Sequence, residues 1–304
     1  MRPFVPKFRI VNGSAFDATT MILVLMLDEL ADDPDEPHST VFLVQGGTAR
    51  NLAKHLYNVV STTFGPGGRD DAWGLGQWGQ AVRYLGGGAI EETQLPVPRG
   101  PMRAITCAGD TLFAVGTALQ AFRKRPSGDW EDISVGGTLF EDYDENILEA
   151  VAGFAPDEVY AAGSEGIVWW FDGQAWTPIQ CMTNAAFHAV TCAEDGVVYL
   201  CGQSGIIAKG RRDAFEVLDT EDDLIDLWGI ALYDDTLYAA GFTMLLEMVD
   251  DVLEIEEIAS DMADHFYDIV ACDGVLWSFG MSDILRLDGD EWQRLIEVTV
   301  EDGG

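Results

Sequence analysis

Apolar residues in this chain arrive in short runs, each closed by a turn signal. The clearest stretch is 148–180, where runs at 148–152, 159–162, 167–171 and 176–179 are separated by Pro156-Asp157, Gly163-Ser164-Glu165-Gly166 and Asp172-Gly173. Runs this short, spaced this tightly, predict a four-stranded antiparallel meander. Asp172-Gly173 predicts a two-residue hairpin, because both positions tolerate positive φ. A single such sheet cannot bury both of its faces, so it needs neighbours of its own kind.

The neighbours are visible as a repeat. An aromatic residue stands three positions before a glycine at Trp73…Gly76, Phe113…Gly116, Tyr160…Gly163, Tyr199…Gly202, Tyr238…Gly241 and Trp277…Gly280. The last three intervals between these glycines are 39 residues each, the first is 40, and the one from Gly116 to Gly163 is 47, which places an extra loop there. A weaker unit, Val41-Phe42-Leu43-Val44-Gln45-Gly46, precedes them. Units of roughly 40 residues with four strands each are the signature of β-propeller blades. The expectation is an all-β, seven-bladed β-propeller of four-stranded antiparallel blades, forming one domain over 1–304. Its first unit, about 1–60, is irregular, and regular repeats fill about 61–298. In that first unit, 4–11, 21–27 and 41–45 read as strands, and the next stretch reads either as a strand over 52–57 or as a short helix over 49–60 with Leu52, His55, Leu56 and Val59 on one face. The unit lacks an evident fourth strand, and 4–11 is placed to close the ring there.

Composition adds core material and an extreme charge. Hydrophobic residues make up 48% of the chain, ample for a packed interior. The five cysteines include no CxxC pair, and Cys107, Cys192 and Cys272 fall at equivalent first-strand positions. They read as buried thiols that pack as small apolar side chains. The apolar run 21–27 is too short to span a bilayer, and the expected location is a reducing cytoplasm. The chain carries 17 basic and 52 acidic residues, for a net charge of −35. That excludes direct binding to nucleic-acid phosphate or anionic lipid. From Asp219 onward there are 24 acidic residues against Arg286 and Arg294 alone.

Catalytic and metal motifs are weak. The four histidines, His38, His55, His188 and His265, are scattered. The glycine-rich turn at 65–71 lacks the lysine of a phosphate loop. Asp142-x-Asp144-x-Asn146 matches the start of a calcium loop but lacks its glycine and terminal glutamate. No cofactor and no metal are therefore expected.

Val159-Tyr160-Ala161-Ala162-Gly163, Gly166-Ile167-Val168, Phe171-Asp172-Gly173 and Trp176 together resemble the repeat of bacterial propellers related to photosystem II assembly factors and sialidase-like BNR repeats. The ending recurs at Asp288-Gly289-Asp290-Glu291-Trp292. The resemblance covers the second to seventh units and implies fold only. Aspartate and glycine are adjacent here, whereas the sialidase Asp-box separates them by one residue.

In a meander of this kind, the loop linking one blade to the next shares a face with the loop between the second and third strands. The linking loops carry Glu141, Asp142, Asp144 and Glu145, then Asp219, Glu221, Asp222, Asp223 and Asp226, then Asp261 and Asp264. These acidic loops are expected to form one rim. The basic clusters Arg123-Lys124-Arg125 and Lys209, Arg211 and Arg212 fall at third turns, on the opposite face. Such polarity predicts a non-catalytic, monomeric propeller that masks a basic protein partner. The most concrete version is an immunity protein against a toxin enzyme with a cationic cleft. A scaffold or assembly factor, or a glycan-binding or glycan-hydrolysing propeller, are the alternatives.

Overall fold

The computed structural model describes residues 7–96, 98–135, 146–218, 225–249, 252–258 and 262–297. They form seven four-stranded antiparallel sheets arranged as the blades of a propeller. Each blade is four consecutive strands. The inner strands, which line the central channel, are Phe8–Asp17, Val59–Phe64, Met102–Ala108, Leu148–Ala155, Phe187–Cys192, Leu227–Tyr233 and Asp268–Cys272.

Burial is organised between blades. Seven apolar clusters among the described residues occupy the seven seams. Tyr160 and Ala162 of blade 4, for example, meet Phe187 and Val198 of blade 5, all fully buried. The repeated aromatics supply much of this packing: Trp73, Phe113, Tyr160, Tyr238 and Trp277 are buried, while Tyr199 is only half-buried and donates its hydroxyl to Asp195 Oδ2 (2.7 Å). The glycine three residues on has a steric reason. A Cβ at Gly163 would sit 1.8 Å from the Ile147 carbonyl oxygen; at Gly202 it would sit 2.0 Å from that of Ala186. In blades 3, 4, 5 and 7 the backbone of the linker entering the blade passes directly over this glycine, so no side chain fits.

The first blade corrects the sequence expectation. It has its own fourth strand, Thr48–His55, paired to Ser39–Gln45 through a turn at Gly46 and Gly47, both with positive φ. Strand pairing prevails over the helical spacing at 49–60, and Leu56 is 90% exposed, so no apolar helix face exists. The strand Phe8–Asp17 is the inner strand of this blade and does not complete another sheet. The ring closes by face packing: Ile10, Leu23 and Phe42 of blade 1 pack on Val275, Trp277 and Phe279 of blade 7. Ile10 N–H also donates to the Met281 carbonyl (2.7 Å). The Asp172-Gly173 turn differs too. Phe171 pairs with Trp176, leaving a four-residue loop in which Asp172 Oδ1 accepts from the Gln174 and Ala175 N–H groups, both at 2.8 Å. A side-chain acceptor replaces the tight backbone turn.

Candidate partner-binding face and channel mouth

Backbone hydrogen bonds fix which loops share a face. Gln77 N–H donates to the Asn58 carbonyl, Thr117 to Pro101, Ser164 to Ile147, Gln203 to Ala186 and Phe266 to Phe242. Each bond joins a blade linker to a turn between second and third strands. The face of the linking loops is therefore one continuous surface. Of the predicted acidic residues, Asp226 and Asp264 are on it and exposed. Asp226 Oδ1 accepts from Ser204 N–H (2.8 Å), which ties the linker before blade 6 to a turn of blade 5. Glu141, Asp142, Asp144, Glu145, Asp219, Glu221, Asp222, Asp223 and Asp261 lie outside the described residues, and so does the calcium-like segment except Asn146.

A further acidic loop belongs to this face. Residues 28–38 join the second and third strands of blade 1, and Asp28, Glu29, Asp32, Asp33, Asp35 and Glu36 are all exposed. Asp32 pairs with Arg9 (2.6 Å). The connection order places this loop beside the linkers.

The same face opens into the central channel, of about 620 Å³. The chain enters each blade past a buried apolar residue (Ile10, Val59, Met102, Leu148, Phe187, Leu227 and Phe266), and the next residue turns into the channel. In blades 1 to 6 that second residue is the extra one of a β-bulge, as between Leu148 and Ala150 or Phe187 and Ala189. A bulge twists the strand and re-aims a side chain. In blade 7 the corresponding residue is Tyr267, just before the paired strand. The seven positions are Val11, Val60, Arg103, Glu149, His188, Trp228 and Tyr267, and all line the channel. Five consecutive blades thus place a charged or aromatic group at its mouth.

These groups touch. The His188 and Trp228 rings stack at 4.3 Å between centroids and 16°, and Trp228 stacks on Tyr267 at 5.8 Å and 15°. Arg103 Nε lies 3.4 Å from Glu149 Oε2. Burial lowers the His188 pKa from its ordinary value, against the opposing pull of Asp226 and Glu149. Asp268, next along from Tyr267, lines the channel and is half-buried; burial pushes its carboxyl up to about 7, with one stabilising hydrogen bond from Ile269 N–H. No sequence motif marked this arc. Its only signal is the residue that follows the apolar start of each inner strand.

The opposite face holds the basic clusters, and they are already engaged. Arg123 bonds Glu131 (2.7 Å) and the Gly173 carbonyl of blade 4 (3.0 Å). Arg211 of blade 5 forms a two-pronged pair with Glu158 of blade 4 (2.7 and 2.9 Å). Arg125 pairs with Glu131 as well. These cations fasten turns and blades, and none is on the acidic face. Among the described residues, no group of three or more His, Cys, Asp or Glu is arranged to hold a metal ion.

Comparison with known proteins separates fold from family. No family model matches the chain. YCF48 from Cyanidioschyzon merolae superposes with a TM-score of 0.67 at 16% identity, over 94% of this chain and 97% of that one. It bears out the likeness to photosystem II assembly factors at the level of fold. Virginiamycin B lyase from Staphylococcus aureus gives 0.61 at 12% identity, over 81% and 86%. The propeller alone therefore does not discriminate binding proteins from enzymes. The immune protein Tsi7 of Pseudomonas aeruginosa strain PAO1 is 35% identical over 246 residues, covering 79% of this chain and 80% of its own. With identity at that level along four-fifths of both proteins, the chain belongs to the family of the immune protein Tsi7.

Proposed function

We propose that this propeller is an immunity protein that neutralises a toxin by occupying its surface, without turnover of a substrate. The observation that carries this reading is the relationship to the immune protein Tsi7. The charge of −35 supports a cationic partner, since a protein this acidic accelerates encounter with a basic surface and repels acidic ones. The face of the linking loops is the proposed contact, because it carries the exposed acidic loop 28–38 with Asp226 and Asp264 and none of the basic clusters. The propeller is proposed to act as a monomer in the cytoplasm, with its five cysteines as free thiols.

The test begins with a candidate toxin enzyme captured on this chain from its native cell. Its expression should stop growth, and co-expression of this chain should restore it. A scaffold would bind without restoring growth. Association should slow as salt rises, because screening shortens the field to about 8 Å at physiological ionic strength. Replacing Asp219, Glu221, Asp222 and Asp223 by their amides should lower the association rate several-fold while far-ultraviolet circular dichroism stays unchanged. Association that ignores salt and these four changes would remove the acidic rim from the reading.

A further inference from the structure

The mouth of the channel is asymmetric. Blades 3 to 7 place Arg103, Glu149, His188, Trp228 and Tyr267 there, whereas blades 1 and 2 place Val11, Asn12, Val60 and Ser61. The long side chains crowd one arc, and the small ones leave room beside the other. Tyr267 ends the aromatic stack, is 39% exposed, and is followed around the ring by the small residues of blade 1. The stack therefore presents a bare aromatic face to the space.

Charge at the mouth is unbalanced. Glu149, Asp226 and Asp268 face one guanidinium, Arg103, which is already spent on Glu149. His188 adds no charge at neutral pH, because burial favours its neutral form. Asp268 receives a single hydrogen bond among the described residues, from its neighbour's backbone. A half-buried carboxylate with one donor is an incomplete site, since a charge partly withdrawn from water is costly unless paired. A flat cation would complete it. A guanidinium can stack on an aromatic face and give parallel N–H bonds to a carboxylate at once, which an ammonium cannot.

The geometry points to the channel mouth as the socket for an arginine side chain of the partner, stacked on Tyr267 at the end of the His188–Trp228–Tyr267 stack and paired with Asp268. This rests on the neutralisation reading above and specifies where on the face the partner is anchored. The exposed acids of the linking loops then steer the partner, and the mouth holds it. That division follows the usual separation of rim charges, which set on-rates, from enclosed aromatic anchors, which set lifetimes.

The probe is the capped tripeptide acetyl-Gly-Arg-Gly-amide, with the citrulline and glutamate versions as controls. Binding is read on the Trp228 indole N–H resonance, assigned by its loss in Trp228→Phe. The arginine peptide should shift that resonance. The citrulline peptide, which keeps the shape and lacks the charge, should bind about tenfold more weakly. Asp268→Asn, close in shape to the native residue, should weaken the arginine peptide by a similar factor while leaving the spectrum's dispersion intact. Equal binding of citrulline, preference for the glutamate peptide, or an unmoved Trp228 signal would overturn the proposal. In cells, Asp268→Asn and Tyr267→Ala should reduce protection from the toxin where the wild-type chain protects. Full protection by both variants would overturn the socket and leave neutralisation standing. Failure of the wild-type chain to protect would overturn neutralisation, and the peptide titration would then decide the socket alone.

Discussion

Asp71 offers the sharpest test of the packing logic. It opens the second strand of blade 2, Asp71–Gly76, and is 2% exposed. Its carboxylate accepts from Arg83 Nε (2.6 Å), Gly67 N–H (2.9 Å) and Trp73 Nε1 (3.0 Å). Burial alone would raise its pKa; the Arg83 bond, with the Gly67 and Trp73 donors, outweighs burial and holds the carboxyl below its usual range. Asp71→Ala leaves the buried Trp73 indole and the Gly67 amide without an acceptor. Each orphaned donor costs about 1–3 kcal/mol. Arg83 is a third exposed and still has Glu91, so its loss adds little. The expected destabilisation is about 3–5 kcal/mol, in line with breaking a buried charge pair. For a chain of this length that corresponds to a fall in Tm of about 5–8 °C. Urea unfolding followed by tryptophan fluorescence should show a lower midpoint at unchanged slope. The carboxylate's contribution is present above the unfolded value near 3.8 and is lost as pH falls through the lowered native value, so the two proteins should converge in acid. A loss below about 1 kcal/mol at pH 7 would refute the reasoning.

Three further outcomes are expected. Asp268 has the opposite sign: its native pKa near 7 lies above the ordinary 3.8, so the native state holds the proton more tightly and stability should fall between those values and flatten above. Asp268→Asn should abolish that slope, whose span is at most about 4 kcal/mol and smaller because the site opens on channel water; an unchanged stability–pH profile would refute it. Tyr160→Phe removes the acceptor of Arg212 N–H (2.9 Å) and a donor to Glu158 (3.0 Å) at the seam of blades 4 and 5, and should cost about 1–2 kcal/mol by denaturant titration. Alkylation of unfolded protein without reductant should modify all five cysteines by mass, and two protected thiols would refute the free-thiol assignment.

The fold was legible because its steric rule is written in residue types. A linker that crosses the end of the second strand forbids a Cβ, so Gly163, Gly202 and Gly280 recur, and the aromatic three residues earlier recurs with them. Blade 1 breaks the pattern. Its second and third strands are separated by the eleven-residue acidic segment 28–38, and its outer strand, Thr48–His55, is largely polar and exposed. An outer strand buries little, so hydrophobic periodicity does not reveal it; pairing with Ser39–Gln45 does. The channel mouth was hidden for a different reason. Phe187, Leu227 and Phe266 mark blade starts in the sequence, and His188, Trp228 and Tyr267 follow directly, but only the bulge turns His188 and Trp228 inward, and Tyr267 enters just before its paired strand. Without it, alternation would give those side chains no common destination.

The seam between blades 7 and 1 has a consequence for how such a chain changes over time. Because the ring is shut by face packing and no sheet borrows a strand from the other end of the chain, every blade is one uninterrupted stretch of sequence. A duplication or deletion of one such stretch adds or removes a complete sheet and leaves no orphaned edge behind. Recombination between genes of this family can therefore trade blades whole, and with each blade goes one residue of the channel mouth. Specificity for a new partner can be acquired one blade at a time, while the seams that hold the ring together stay as they are.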